Sequence, residues 1–576
     1  MKNKKRKLSD ENDDISKKLR INYEFDKNNF VCPSQIKNYI LKDPLIDYFE
    51  YYKVNNIKYY KVNSIVKKKP KIVKFEEFIK NKGIEYEKKV MEHFKDKCIT
   101  IDGLLNAESY NKTIEAISNN AIIYQGVLFN EIDKTYGRPD LIIRGDKLNE
   151  LFDQNEDITK YYIIDIKFSS IKLSADRTYI LNGEMVPTYK TQILLYTQAL
   201  NKILNQNVQK GFILGKRYVS ESKGIKNTIT NINCNILATV NYDSVDSNYY
   251  KILENAINWV FKLRNEGSHW ELLPKPSIDE LYPNMSNNKD GKWRGLKKEL
   301  ADNIKELTLL VNVGYNQRQT AFKNNIYAYT DKNCNSSNLG LNGKRGIIVD
   351  ELISINSSEC QDLIRPNKIN YSIIDWRKLP DNQMEFYLDY ETTTDFDELN
   401  FIFMIGVGYV DKDNKWQFKC IVVKNNTLIA QIEMFNEFWN YIDNILLEYE
   451  KDDGVFIHWT QAEQTFYNKI KSLINCKEKI FLDLYQIFIA EPIVIKDALN
   501  FSLKTIAKAM YKHGMIKTNW DDNSSCVNGL DAMIIAHELY EKKSIVKIDD
   551  MKDIAYYNEV DCKVLYEILE YLRLNH

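Results

Sequence analysis

Residues 161–170 read YYIIDIKFSS, and the fold of the N-terminal half turns on that stretch. Asp165 and Lys167 stand two apart among apolar residues, so on an extended chain an acid and a base project from one face. A salt bridge on a half-solvated sheet is one reading. The other is a metal-dependent hydrolytic site, which needs hard oxygen ligands for a divalent cation and a positive charge near the attacking water. That second reading requires partners elsewhere in the chain.

The neighbouring segments supply candidates. Upstream, RPDLIIRG (138–145) places Asp140 at the start of another strand, and pairing the two strands brings Asp140 and Asp165 within reach of one cation. Farther upstream, KFEEFIKNKGIEYEKKVMEHF (74–94) has helical apolar spacing and AIIYQGVLFNE (121–131) reads as a strand. Downstream, YKTQILLYTQALNKIL (189–204) reads as a helix with Gln192 and Tyr196 on one face.

Taken together, RPD, DIK and QILLY resemble the PD-(D/E)xK nuclease superfamily, and within it the RecB-type branch. The resemblance implies a restriction-endonuclease-like fold, with Asp140 and Asp165 as metal ligands. It implies that Lys167 aids the water or the transition state, and that Gln192 and Tyr196 support the site or the strand. Glu87, four residues after Gly83, matches a position where this branch adds a metal ligand. Asp165 stands where Glu is more frequent. Some members carry an iron–sulfur cluster, but the spacing of Cys32, Cys98 and Cys234 does not fit one, so no cluster is expected.

A second constellation lies in the last two hundred residues. FYLDYETTTDF (386–396) sets Asp389 and Glu391 on one face of a strand, and YYNEVDCKV (556–564) sets Tyr557 and Asp561 one helical turn apart. FIFMIGVGYV, WQFKCIVVK and GVFIHW read as further strands, and EMFNEFWNYIDNIL as a helix. This pattern resembles the DEDD exonucleases of the RNase H fold, nearest to YprB-like domains. The resemblance implies metal held by Asp389, Glu391 and Asp561, and a 3′–5′ exonuclease-like activity. Where an Asp is usual, FIHWTQAEQTFY (456–467) offers Glu463, with Asp483 in FLDLYQIF as a reserve ligand; FSLKTIAKAM (501–510) is also similar to that group. The resemblance places Tyr557 where the tyrosine subtype sets a residue that orients or deprotonates the water, and a phenol with a pKa near 10 suits orienting it better than removing its proton.

The fold class expected is α/β in two domains. Residues 1–28 are assigned to a charged disordered tail, 29–270 to the PD-(D/E)xK domain, 271–380 to a helical connector and 381–576 to the RNase H-like domain. Within the connector, GLKKELADNIKELTLLVNVG (295–314) reads as one amphipathic helix. Between Lys53 and Lys74 lysines alternate with tyrosines and no acid intervenes. Lys53, Lys58, Tyr59, Tyr60, Lys61, Lys67, Lys68 and Lys69 suit a surface that tracks a nucleic-acid backbone, or an exposed edge guarded by lysines.

Eighty basic and eighty acidic residues cancel, so affinity for nucleic acid must come from local patches. The nine cysteines form no C-x-x-C pair, which suits a reducing compartment and argues against structural zinc. The N-terminus lacks the apolar run of a signal peptide, and no run is long enough for a membrane span. KKRKL (4–8) is either a nuclear signal or part of a lysine-rich tail. An intracellular protein of the cytoplasm or nucleus, or of a viral factory if the source is viral, is expected. No phosphate-binding loop of the G-x-x-x-x-G-K type occurs, so unwinding would need a helicase partner. The function expected is a Mg2+- or Mn2+-dependent nuclease on DNA rather than RNA. The competing readings are a non-catalytic scaffold that recruits a helicase, and an RNA-processing exonuclease.

Overall fold

Strand Tyr161–Lys172 lies inside a seven-stranded sheet. A computed structural model of the chain describes residues 20–21, 26–53, 74–370, 376–393, 401–474, 478–521, 524, 526 and 528–576. They fall into two compact units. One is built from Glu76–Leu300 with the described residues up to Lys53, the other from Ala301–His576. Of the lysine–tyrosine stretch only Lys53 is described, and it is exposed; Lys58, Tyr59, Tyr60, Lys61, Lys67, Lys68 and Lys69 lie outside the described residues. So does most of the assigned tail, although Arg20 pairs with Glu115 and Ile21 exchanges hydrogen bonds with the Asn111 amide.

The large sheet of the first unit comprises β1 (Ile99–Thr100), β2 (Ile122–Tyr124), β3 (Leu141–Arg144), β4 (Tyr161–Lys172), β5 (Lys210–Ser222), β6 (Ile225–Thr230) and β7 (Ala238–Asn241), with β1 to β6 side by side in sequence order and β7 against β5. Strand β4 runs antiparallel to β3, with Leu141 opposite Ile164, and parallel to β5, with Asp165 opposite Ile213. A parallel partner requires a crossover, supplied here by helix α3 (Val186–Leu204); α1 is Lys74–Glu92, α2 Ala107–Asn119 and α4 Tyr249–Glu266.

Period-two alternation divides β4. Tyr162, Ile164 and Ile166 join a core with Tyr86 and Val90 of α1 and with Phe94 just past its end, each such side chain contributing about 1.5–3 kcal/mol by leaving water. Asp165 and Lys167 therefore point to the opposite face, toward α3, whose Gln192 reaches Asp165.

The stretch AIIYQGVLFNE is two strands rather than one. Gln125 takes a left-handed backbone (φ 58°), ending β2, and Leu128–Asn130 pairs instead with Thr135–Gly137 in a separate ribbon. The expected 295–314 helix likewise stops early, at Ile304. Lys305 is left-handed (φ 55°), and the buried Glu306 caps a 3-10 turn through Thr308 while pairing with Arg318. Helices Tyr315–Lys323 and Gly343–Ile355 follow.

In the second unit β8 (Gln383–Thr392), β9 (Ile402–Val410), β10 (Trp416–Val422), β11 (Asp453–His458) and β12 (Ile480–Asp483) form a sheet ordered β10-β9-β8-β11-β12. The first three strands are antiparallel, and β11 and β12 run parallel to β8. The helices are α5 (Leu428–Glu448), α6 (Ala462–Ile470), α7 (Leu484–Ala490), α8 (Leu503–Lys512), α9 (Gly529–Lys542) and α10 (Lys552–Asn575).

Here too alternation decides what faces what. Phe386 stacks on Phe456, and Tyr390 meets Phe435 of α5, on the apolar side of β8. The other row, Glu385, Tyr387 and Asp389, meets α10 residue by residue: Arg573 pairs with Glu385, Tyr566 packs on Tyr387, and Asn558 donates to Asp389. Steps of seven and eight along α10 keep those partners on one helical face.

Candidate active sites

The first cluster gathers around Asp165, which is fully buried. Lys167 Nζ lies 2.7 Å from Asp165 Oδ2, and Gln192 Nε2 donates to Asp165 Oδ1 at 3.2 Å. Asp140, just before β3, accepts from the Ile166 backbone N–H at 2.7 Å, so the antiparallel pairing does bring the two aspartates together. Burial, and next the charge of Asp165, push Asp140 up to about 7. For Lys167 burial opposes the ammonium, but the Asp165 and Asp140 carboxylates outweigh it and hold the group above its ordinary value. That is the balance which spacing alone leaves open.

Glu87 of α1 reaches the same region from the end of the sheet. It accepts from Tyr124 OH at 2.9 Å and Gln125 Nε2 at 2.8 Å, and burial and the Asp140 charge raise its pKa. Tyr196 presses against the backbone of Gly137, where a Cβ would lie 2.5 Å from its ring, so this glycine is required by close approach. Tyr189 was not singled out from the sequence, yet its ring lies 5.3 Å beneath Lys167 Nζ.

The second cluster is tighter. Oxygens of Asp389, Glu391 and Asp561 all lie within 4.8 Å of one another, and among the described residues no other group of three potential metal ligands does so. Glu87, Asp140 and Asp165 are thus less closely gathered. Beyond Tyr387, β8 has no residue paired with β11, so Asp389 and Glu391 stand past the end of the parallel pairing. Burial dominates the electrostatics: Asp389 is pushed up to about 8, with Glu463 adding to the effect, and Glu391 and Asp561 are raised well above the carboxylate range. Three carboxylates so close together, Glu391 and Asp561 buried and Asp389 half-buried, are a poor arrangement unless positive charge joins them. An all-oxygen donor set of this kind fits a hard divalent cation such as Mg2+ or Mn2+.

Asp389 and Asp561 are each held by a hydrogen bond. Asn558 Nδ2 donates to Asp389 Oδ2 at 2.6 Å, and its own approach depends on Gly406, where a Cβ would lie 1.5 Å from Asn558 Oδ1. Trp520 Nε1 donates to Asp561 Oδ1 at 3.1 Å. The Trp520 segment is clamped by Glu567 of α10, which accepts from the backbone N–H groups of Lys517 and Thr518. Tyr557, nearly buried, hydrogen-bonds to Asp561; burial and then the Asp561 and Glu391 charges push its pKa upward, so it remains a neutral phenol.

Glu463 stands outside the group of three. It lies 3.2 Å from His458 Nδ1, and burial raises it to about 8. Its charge is nevertheless the first that Asp389 feels. Asp483 caps α7 and accepts from Thr460 N and Tyr485 N, so its oxygens are engaged in holding loops.

Asn558, Trp520 and Lys504 escaped the sequence reading. Asn558 sits in the same helical turn as Asp561, and Lys504 lies in FSLKTIAKAM, so both stand in segments whose pattern is visible; Trp520 carries no local signal.

No curated protein matches this sequence. A family model, RNase_H_2 of the RNase_H superfamily, matches residues 386–573. That span covers less than half of the chain but includes Asp389, Glu391, Glu463, Tyr557 and Asp561. The second unit therefore contains an RNase H-like domain, consistent with a nuclease.

Proposed function

We propose that the protein is a divalent-metal-dependent nuclease that hydrolyses DNA phosphodiesters, with ends or single strands as substrates. The observation that carries this reading is the close-set Asp389, Glu391 and Asp561 group inside the RNase H-like domain. A bound cation there supplies Lewis-acid charge to the phosphate and the nucleophile. Asn558 and Trp520 fix the carboxylates that hold it, Tyr557 orients the water, and Glu463 adjusts Asp389 from across the site. The water oxygen bonds to phosphorus as the bond to the leaving oxygen breaks; the attacking water gives one proton to solvent, and the leaving oxygen takes one from solvent. A 3′–5′ exonuclease mode is the form this site suits.

The first cluster is proposed as a second nuclease site of PD-(D/E)xK, RecB-type architecture. Asp140, Asp165 and Glu87 hold metal there, Lys167 stabilises the transition state, and Gln192 and Tyr196 support the site. Two sites of different chemistry suit work on opposite polarities or different DNA structures in repair, recombination or replication. The domain limits 29–270, 271–380 and 381–576, and an intracellular location in cytoplasm or nucleus, complete the proposal. Among the described residues no helix is long and apolar enough to cross a membrane.

The test uses end-labelled DNA and matched RNA with wild type, Asp165→Ala and Asp389→Ala, in Mg2+, Mn2+ and chelator. Metal-dependent cutting lost in one or both variants is expected. Full activity in both would overturn the assignments. DNA binding without cutting in either metal would favour the helicase-recruiting scaffold, and preference for the RNA oligonucleotide would favour RNA processing.

A further inference from the structure

Lys504 is the second residue of α8, and its half-buried ammonium reaches the carboxylate group from an element that supplies none of the carboxylates. Its Nζ lies 4.4 Å from the Tyr557 ring centroid and 5.4 Å from that of Trp520. Both rings belong to residues that hydrogen-bond Asp561. The Lys504 charge is felt by Asp389, Glu391 and Asp561 alike. One ammonium is thus seated on two aromatic faces, both of residues that hold Asp561.

Local preference does not put it there. A lysine in the first turn sits at the positive end of its helix, a placement disfavoured by a few tenths to about 1 kcal/mol, and Lys508 one turn on adds repulsion. A side chain held against its local preference is placed by the site. Charge balance indicates why. Three carboxylates and one divalent cation leave a single net negative charge, which would repel an incoming phosphodiester; Lys504 brings the site to neutrality. Glu463, outside the group of three, leaves a second cation weakly provided for.

We propose that Lys504 is a catalytic residue of this site, its ammonium contacting a non-bridging oxygen of the scissile phosphate and supplying the protein's own positive charge to the transition state. This rests on the nuclease reading of the site. Burial lowers the Lys504 pKa and the Asp561 and Glu391 charges oppose that lowering; Lys504 acts through its ammonium form and transfers no proton, and the bonds made and broken are those already given. Lys167 over Tyr189 has the same arrangement in the first cluster: an ammonium on a tyrosine face beside carboxylates.

The experiment is done on full-length Asp165→Ala protein, so that cutting reports only the second site. Lys504→Met and Lys504→Arg are compared on labelled single-stranded oligo-dT, for cutting in Mn2+ and for equilibrium binding in Ca2+. Lys504→Met is expected to cut about 30-fold more slowly, whereas Lys504→Arg stays within about threefold. Loss of one phosphate contact also flattens the slope of log Kd against log salt by about 0.7 for Lys504→Met alone. Wild-type behaviour of Lys504→Met in both assays overturns the proposal. So does an equal loss in Lys504→Arg, which would make the lysine a packing residue. If the Asp165→Ala parent cuts nothing, the nuclease reading of the site fails, and the salt slope still decides the phosphate contact. Should Lys504→Met not fold, Lys504→Gln takes its place with the same outcomes.

Discussion

The two acidic clusters solve one electrostatic problem from different distances along the chain. In the first, the acid and its countercharge are neighbours: Asp165 and Lys167 share a strand, and a 2.7 Å ion pair forms whenever β4 does. In the second, two acids come from β8, the third from α10 and the ammonium from α8, so the balance exists only once the unit has folded. Local pairing makes the first cluster recognisable as a motif. Distributed pairing makes the second tighter, with three carboxylates within 4.8 Å, yet dependent on supports such as Asn558 and Trp520.

The largest test of that contrast is removal of one ligand from each cluster. Asp389→Ala and Asp165→Ala should each lower cutting at their own site about 10³-fold, about 4 kcal/mol of transition-state stabilisation, read on substrates that distinguish the sites. If either variant lost both activities, the clusters would not be independent.

Supports come next. Asn558→Ala and Gly406→Ala should each cost about 10- to 100-fold at the second site, the glycine variant because its methyl displaces Asn558 from Asp389. Gln192→Ala in the first cluster should fall at the low end of that range, since its 3.2 Å hydrogen bond supplements the lysine. An equal loss in Gln192→Ala and Asn558→Ala would erase the distinction between local and distributed support. Glu463→Gln is expected to lose about tenfold, less than any of the three grouped acids, because it acts on Asp389 from outside the group.

A further test concerns pH. Asp140 near 7 and Asp389 and Glu463 near 8 stand above their ordinary values. Between about pH 4 and 8 the folded, chelator-treated protein therefore holds protons that the unfolded chain releases, and urea stability should fall as pH rises through that window. Cations displace those protons, so apparent Mn2+ affinity by calorimetry should rise with pH, about tenfold per unit for each proton displaced. A metal affinity that is flat from pH 6 to 9 would contradict the raised carboxylates.

Much of this was legible in the chain itself. The face shared by Asp165 and Lys167, the strand carrying Asp389 and Glu391, and the turn linking Tyr557 and Asp561 follow from periods of 2 and 3.6. Breaks were less visible. AIIYQGVLFNE reads as one strand because its apolar residues run almost without a break, and the left-handed Gln125 divides it. The 295–314 segment reads as one helix because its amphipathic period continues past Lys305, where the buried Glu306 and Arg318 pair favours a 3-10 turn.

Short-range order, then, was fixed by residue pattern: which side chains share a face depends only on backbone geometry. The tertiary structure alone decided which faces meet. It set Lys167 above its ordinary pKa rather than below, left Glu463 beside His458 instead of among the three acids, and carried Lys504 and Trp520 to Asp561 across long stretches of chain. Those outcomes depend on burial and on distances between remote segments, and Coulomb energy and desolvation are settled only when the segments pack.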